Sequence, residues 1–400
     1  MGLSREISAW GLSVGLALSP MASQAQAATP PISEAAGYEQ VLEAATRDLC
    51  GKQVAMLGEN GFHGDGETVA FKAALIQRLV ARCHFDAVYF EASHYDFLQI
   101  AREHRAGKPV TPEQVSMAIG WIWNHDAEIQ PLIGFLAREA STGRVSLGGL
   151  DDQLGGRDEH YSLEIMPVEL AAYLPEARRA DCLARLHQRI YSDYPKAAPH
   201  GPEDQAQLKA CLADIRAAVA VRPGSRDRDE TLQLVANIER CLDRDFIRRD
   251  DYVRARDRSM ALNFRWLTTQ APRRKVIVWA ATVHLAKDGP NGAATLGSEI
   301  KQAYGPRAFV LGFSAAGGSY RYSRNKSPEI PPAPAGSMEA EALKDAARQT
   351  GYLGSGALAR LGAVPGSPFE HGAFASRDWS KVMDGIVVFR AERPPHRTDG

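Results

Sequence analysis

Residues 53–59 read QVAMLGE and residues 85–92 read FDAVYFEA, two short apolar runs bounded by polar residues and glycine. Runs of this length and composition are typical of strands that are buried on both faces of a sheet. A helical pattern from about 66 to 82 separates the two runs. A strand, a helix and a second strand in this order predict two parallel strands covered by the helix between them.

The same alternation continues outward from this unit. Further strands are predicted at 144–152, 275–285, 306–315 and 384–391. Between about 160 and 243 the sequence is charged, alanine-rich and helical in pattern, with no convincing strand. The sequence therefore predicts an α/β fold with a mostly parallel sheet, covered by helices on both faces, and an all-helical insertion.

The first 27 residues are typical of a secretory signal. Arg5 is followed by an apolar stretch from 9 to 18 and by Ala25-Gln26-Ala27, which predicts cleavage after Ala27. A buried N-terminal helix is the alternative, and the stretch is too short to span a bilayer. We therefore expect a periplasmic or secreted protein with no membrane contact after cleavage. The expected division of the remaining chain is 28–159 and 244–400 for the α/β core, with 160–243 as a lid or cleft wall.

Composition excludes some partners and permits others. Lys and Arg number 47 against 48 Asp and Glu, so no excess of positive charge favours nucleic acid. None of the five cysteines forms a CxxC pair, so a thiolate zinc site is not expected. Export permits disulfides. Cys50 and Cys83 each precede a predicted strand and could form one, and the odd count leaves at least one thiol free or paired between chains.

Acidic and imidazole side chains follow several of the predicted strands. In parallel sheets ligands bind outside the carboxyl ends of the strands. The residues found there are Glu59, His63, Glu91, Asp151 and His284. Gathered together, they could act through a carboxylate-oriented imidazole as a general base, or they could bind a divalent metal through nitrogen and oxygen ligands. The residue types alone leave both chemistries open.

Each of these residues also has a simpler interpretation. A glutamate in a loop can accept backbone N–H bonds, a histidine among glycines can be a loop residue with unusual backbone angles, and a buried carboxylate can form a structural ion pair. His284 could be a core histidine with satisfied hydrogen bonds. The joint placement at one edge is what favours a functional site. A serine nucleophile on a GxSxG turn is not expected, because the motif does not occur.

Six segments in a fixed order carry a family resemblance: LGENGFHGDGE, VYFEAS, GLDDQ, RDRSMALNFRWL, VIVWAATVH and FVLGFSAAGG. They resemble the erythromycin esterase family over most of the mature chain. The resemblance implies an α/β enzyme that hydrolyses a small-molecule ester without a metal or other cofactor, in known members the macrolactone of 14-membered macrolides. It implies catalytic roles for Glu59, His63, Glu91, Arg256 and His284, and substrate binding by Lys72 and Asp151.

The sequence departs from the family pattern at three places. Three residues separate Glu59 from His63 where the usual form has two, and we expect Gly61 to absorb the extra residue. Ala281 stands where the family often has a second histidine. Lys72 replaces an arginine, so that a point charge stands in place of a forked guanidinium. The macrolide substrate therefore does not follow from the resemblance.

The resulting hypothesis is an exported, metal-independent ester hydrolase. His63 takes a proton from the water that attacks an ester or lactone carbonyl, and Glu59, Glu91 or both raise its basicity. The oxyanion is expected to be stabilised by Arg256, Lys72 and His284. The alternatives are a ligand-binding protein of the haem-binding type on the same core, and a metallohydrolase that uses the same histidines and glutamates.

Overall fold

The computed structural model describes residues 37–156, 160–271 and 274–398, so the predicted signal at 1–27 lies outside the described residues. The strands are β1 (Val54–Glu59), β2 (Ala87–Ser93), β3 (Ser146–Asp151), β4 (Val276–Ala281), β5 (Ala308–Ala315), β6 (Thr350–Leu353), β7 (Ala363–Gly366), β8 (Ala375–Asp378) and β9 (Gly385–Phe389). The helices are α1 (Tyr38–Cys50), α2 (Gly66–Cys83), α3 (His94–Arg105), α4 (Pro112–Ile119), α5 (Gln130–Ser141), α6 (Met166–Ala171), α7 (Glu176–Ile190), α8 (Pro202–Ala220), α9 (Arg226–Leu242), α10 (Arg249–Thr269), α11 (Thr282–Leu285), α12 (Leu296–Tyr304), α13 (Met338–Ala342) and α14 (Ser355–Leu361). Of these helices, none has the length and apolar character needed to span a bilayer.

Seven strands form one sheet in the order β3-β2-β4-β1-β5-β9-β6. All neighbours are parallel except β6, which runs antiparallel to β9 at one edge. The predicted mostly parallel α/β fold is therefore confirmed. The pattern missed β6 and the separate hairpin of β7 and β8. These strands have four residues each, and β7 and β8 are partly exposed, so they lack the long apolar run that marks the central strands.

Alternating side chains of the central strands supply two core layers. In β1, Ala55 and Leu57 pack in the layer that contains residues of α2, whereas Val54 and Met56 pack in the layer that contains residues of α10. We refer to these sides as the α2 face and the α10 face. Because side chains alternate along a strand, a residue's position decides which face it joins. This alternation determines which partners each candidate site residue meets.

The described part of 160–243 contains helices and turns and no strand. Helices α6 to α9 follow a short π-helical segment, Tyr161–Ile165. Their apolar sides pack around Tyr95 and Leu98 of α3. The all-helical insertion that the charged, alanine-rich pattern predicts is therefore seated on the helix that follows β2.

The predicted strand at 275–285 is too long. β4 ends at Ala281, and Thr282–Leu285 form the single helical turn α11. The Thr282 hydroxyl donates to the carbonyl of Gly58 at 2.6 Å, which ties the start of this turn to the end of β1. His284 therefore lies on a helical turn beyond the sheet. The sequence VIVWAATVHL is apolar almost throughout, so hydrophobicity could not indicate where the strand ends and the helical turn begins.

Two disulfides cross-link the chain. Cys50–Cys83 joins the ends of α1 and α2, as the sequence suggested, and Cys182–Cys211 joins α7 to α8. The second bridge was not predicted, because sequence alone does not fix the pairing. Cys241 is the free thiol within the described residues, and it is buried.

Removing the Cys50–Cys83 bridge should destabilise the fold. The bond closes a loop with a sequence separation of 33, for which the loss of chain entropy in the unfolded state corresponds to about 3–4 kcal/mol. The Cys50→Ala/Cys83→Ala protein should therefore lose about this much free energy of unfolding in chemical denaturation. Cys241→Ala removes a buried thiol without opening a cross-link and should lose clearly less. Equal losses in the two proteins would contradict a stabilising bridge.

Candidate functional site

Glu59 is the centre of a first group of side chains at the carboxyl end of β1. It is only 1% exposed, and its position in the strand places it on the α2 face. Its Oε1 contacts His63 Nδ1 at 2.7 Å and accepts from the Trp123 indole N–H at 2.9 Å. Its Oε2 accepts from the Lys72 ammonium at 2.9 Å. We refer to Glu59, His63, Lys72 and Trp123 as the Glu59 cluster.

Lys72 is fully buried beneath this carboxylate. Its ammonium lies 4.0 Å from the ring centre of Trp279, a cation–π contact, as well as on Glu59. Burial lowers the pKa of Lys72 to about 8, against the opposing charge of Glu59. Burial alone would raise the pKa of Glu59, but the charge of Lys72 and the contact with His63 hold that pKa below its ordinary value. Lys72 therefore contacts Glu59 and Trp279 inside the core.

The loop between Glu59 and His63 takes its unusual backbone conformation at the histidine. His63 has φ 55°, in the left-handed region, whereas Gly61 does not. Instead, Gly61 N–H donates to the carbonyl of Phe369 at 3.2 Å. Phe62 packs against Tyr320, with ring centres 5.1 Å apart. The unusual backbone and the carboxylate contact therefore occur in one residue, and the longer loop still brings the imidazole to Glu59.

Glu91 is the centre of a second group on the opposite side of the sheet. Its position in β2 places it on the α10 face, where Arg256 of α10 donates to Glu91 Oε1 at 2.8 Å. The same guanidinium donates to Asp151 at the end of β3, with Nη2 at 2.5 Å. Glu91 Oε2 accepts the backbone N–H of Ala281 at 2.8 Å. We refer to Glu91, Asp151, Arg256, Asp257 and His284 as the Glu91 cluster.

Strong compensation of charge characterises this cluster. Burial alone would raise the pKa of Glu91, but His284 and Arg256 hold it well below its ordinary value. Burial opposes the charge of Arg256 as well, yet Asp151 and Glu91 raise the pKa of the guanidinium. The structural ion pair that the sequence offered as an alternative for Glu91 is therefore present. It does not exclude a catalytic role, because Glu91 also borders a cavity.

His284 is held between acidic side chains. Its Nδ1 lies 2.9 Å from Asp257 Oδ1, and its Nε2 lies 3.3 Å from Glu91 Oε1. Burial lowers the pKa of His284, but Glu91 and Asp257 outweigh it and raise the pKa to about 9. The 3.0 Å contact from Arg256 Nη1 to the same Nε2 conflicts with this direction, since a protonated Nε2 cannot accept. Three carboxylates in the cluster face one guanidinium, and this excess of negative charge favours the protonated imidazole.

The two clusters flank the end of β4. Glu59 is in register with Ala281, and Glu91 bonds to the backbone of the same residue from the other neighbouring strand. Within the described residues no hydrogen bond or ion pair connects the clusters. Their charges nevertheless act on each other, since the charge of His63 contributes to the lowered pKa of Glu91. The structure thus brings all seven predicted site residues to one edge of the sheet, in two groups on opposite faces.

A cavity of about 280 Å³ opens beside the second cluster, and we call it the Glu91 cavity. Its walls include Glu91, Asp151, Trp121, Tyr252, Arg189 and Cys241. Two helices of the insertion, α7 and α9, thus contribute to it. A larger cavity of about 730 Å³ lies between α3 and the insertion, and none of the predicted site residues borders it. Two carboxylates of the Glu91 cluster border the smaller cavity, whereas no member of the Glu59 cluster does.

Two members of the clusters were missed at the sequence level. Asp257 orients His284 and also accepts the backbone N–H of Leu296 at 3.2 Å. Asp257 directly follows the predicted site residue Arg256 on a helix, but this position did not indicate that its carboxylate would contact His284. Trp123 belongs to the segment 120–124, which interrupts the helical pattern. Nothing in that segment showed that its indole would reach Glu59.

The described part of the chain contains no candidate metal site. No three His, Cys, Asp or Glu side chains there are arranged so that they could hold an ion. Positively charged side chains instead lie between the carboxylates: Lys72 on Glu59, and Arg256 between Glu91 and Asp151.

Substitutions of Glu59 and Lys72 should have strongly non-additive effects on the free energy of unfolding. Removing one partner of a buried ion pair leaves an uncompensated charge and typically costs about 3–5 kcal/mol. Glu59→Gln and Lys72→Met should each lower the free energy of unfolding by about this amount. The double variant should lose less than the sum, because both charges are then absent. Urea denaturation of the four proteins at neutral pH, followed by circular dichroism, measures the coupling.

A surface pair provides the matched control. Lys108 contacts Glu103 at 3.0 Å with its side chain 63% exposed, so Lys108→Met should change the free energy of unfolding by no more than about 0.5 kcal/mol. Additive effects at Glu59 and Lys72, or a Lys72 loss no larger than that of Lys108, would contradict the buried pair.

Comparison with known proteins identifies the family of this chain. The family model described as erythromycin esterase matches residues 80–376, well over half of the chain. The match contains Glu91, Asp151, Arg256 and His284, and it begins after the Glu59–His63 loop. A Bacillus subtilis (strain 168) protein named "Putative hydrolase YbfO" is 24% identical over 329 residues, which cover 73% of this chain and 72% of that protein.

Solved structures show the same fold at low sequence identity. A succinoglycan biosynthesis protein has a TM-score of 0.66 and 16% identity, with 89% of this chain and 92% of that chain covered. An erythromycin esterase mutant, EreC in its open conformation, has a TM-score of 0.59 and 16% identity, with 88% and 94% covered. The family match and the hydrolase relative support a hydrolase of the esterase type. This chain belongs to the erythromycin esterase family.

Proposed function

We propose that this protein hydrolyses carboxylic esters without a metal, with His63 as the general base. The observation that carries the proposal is the 2.7 Å contact between His63 Nδ1 and Glu59 Oε1. An ionised Glu59 accepts Nδ1–H, which leaves Nε2 as the nitrogen that can take a proton from water. Lys72 supports this state, because its ammonium keeps Glu59 ionised.

The Glu91 cluster would stabilise the negative charge that develops on the carbonyl oxygen in the transition state. Arg256 has five N–H donors, and its contacts with Asp151 and Glu91 use three of them, so the two on Nη1 remain when His284 is protonated. These donors are available to an oxyanion, and the positive charge of His284, whose two N–H groups face Asp257 and Glu91, adds to the attraction. Preorganised donors of this kind typically contribute about a hundredfold or more to rate. Glu91 and Asp151 then act chiefly by holding Arg256 in place.

Metal independence is part of the proposal. In each cluster a side-chain cation already lies against the carboxylates, Lys72 in one and Arg256 in the other. An added divalent ion would have to displace these buried charges from carboxylates to which they are bonded. Water activation through an imidazole needs no such displacement.

Export to the periplasm or beyond is proposed on two grounds. The N-terminal 27 residues have the composition of a secretory signal. Two disulfides in the described residues suit an oxidising compartment.

Turnover with and without a chelator tests the reaction. The purified protein should hydrolyse members of a panel of simple esters and a 14-membered macrolactone at rates that EDTA does not change. His63→Ala should lower kcat/KM by about a hundredfold or more, and Glu91→Gln should lower it in the same direction. His104→Ala, on the half-buried side of α3 outside both clusters, should retain activity.

Each competing function has its own signature in the same experiment. Turnover that EDTA abolishes would indicate a metallohydrolase. A haem absorption band without turnover of any ester would indicate a ligand-binding protein. Either result would contradict the proposed reaction.

The pH profile should show the titration of Lys72. Its proton is bound below a pKa of about 8 and lost above it, so kcat/KM should fall on the alkaline side from about pH 8. Lys72→Arg keeps the charge and should move this fall toward pH 9, where His284 loses its proton. The acidic side should stay in place. An identical alkaline fall in wild type and Lys72→Arg would show that Lys72 does not control the profile.

A further inference from the structure

The Glu91 cavity has room for only part of a large ester. Its volume is about 280 Å³, just below the range of about 300–1,000 Å³ that is typical of pockets for drug-sized ligands. A 14-membered macrolactone is a ligand of at least that size. The cavity therefore fits a compact substituent rather than such a ring.

Charges at the cavity wall are already paired within the protein. Glu91 and Asp151 both bind Arg256, and Arg189 binds Asp245 at 2.5 Å. A charged substrate group would either be left unpaired in a buried place or have to break one of these pairs, and both are costly. An uncharged group meets neither cost.

Two aromatic side chains give the cavity its shape. The Tyr252 hydroxyl accepts from Gln153 Nε2 at 2.7 Å, and the Arg244 guanidinium lies 5.4 Å from its ring centre. Trp121 is 49% exposed, on a turn that begins at Gly120 with φ 84°. Two residues further along, Trp123 anchors the same turn on Glu59. The indole of Trp121 is therefore presented at the cavity by a segment fixed to the proposed catalytic group.

We propose that the Glu91 cavity is a substrate subsite for one uncharged half of a small ester, and that Trp121 determines its specificity. The inference rests on the proposed ester hydrolysis and names its substrate class. An aromatic or short aliphatic group would lie against the indole, since such rings favour apolar and aromatic contacts. The reacting carbonyl would then lie at the mouth beside Glu91 and Arg256.

Two series of esters test the subsite. One varies the acyl chain of p-nitrophenyl esters, and the other varies the alcohol of acetate esters. In one of the two series kcat/KM should fall tenfold or more as the varied half is lengthened from about two to about twelve carbon atoms. Trp121→Ala should raise KM about tenfold for the best small ester, leave kcat within about twofold, and move the size limit upward. Trp121→Phe should keep both the limit and KM near wild type.

Tyr191→Ala is the matched control, because Tyr191 is 48% exposed and does not border the Glu91 cavity. It should change neither KM nor the size limit. No size limit in either series, preferential hydrolysis of the macrolactone, or a limit that Trp121→Ala leaves unmoved would overturn the subsite while ester hydrolysis stands. Failure of the wild-type protein to hydrolyse any ester would overturn the proposed function, and the subsite with it.

Discussion

Burial of the Glu59 carboxylate at the end of β1 is the constraint on which the site depends. Removing an ion from water costs several kcal/mol unless partners compensate it. Glu59 obtains these partners from α2, from its own loop and from the segment 120–124, as Lys72, His63 and Trp123. One buried charge thereby fixes three separate pieces of chain around the imidazole. The proposed base owes its orientation to this compensation.

The Glu91 cluster applies the same constraint on the other face of the sheet. Alternation along the strands sends Glu59 toward α2 and Glu91 toward α10, although both lie at the same edge. Arg256 then satisfies Glu91 and Asp151 together, and Asp257 holds His284 from the same helix. The edge of β4 lies between a group suited to accept a proton and a group suited to meet negative charge. Chemistry at this edge would draw on both faces, which a pocket on a single face could not provide.

The relation between sequence and fold is clearest where apolar runs are long. β1, β2, β4, β5 and β9 could be predicted because strands buried on both faces leave a continuous apolar record. The sequence shows no such apolar run for β6 or for the β7–β8 hairpin, since each of these strands has four residues and β7 and β8 are partly exposed. The end of β4 was misplaced for the opposite reason. Apolar residues continue into α11, so hydrophobicity could not mark the change from strand to helix.

The sequence by itself determined the parallel core, the helical insertion and the collection of acidic, basic and imidazole residues at one sheet edge. It did so because strand periodicity and the direction of parallel strands are local properties of the chain. Only the tertiary structure decided that Lys72 lies beneath Glu59, that Asp257 holds His284 and that Trp123 reaches Glu59. These contacts join distant segments, and their geometry depends on how helices pack against the two faces. A local sequence pattern does not indicate which side chain from a distant segment will contact a buried charge.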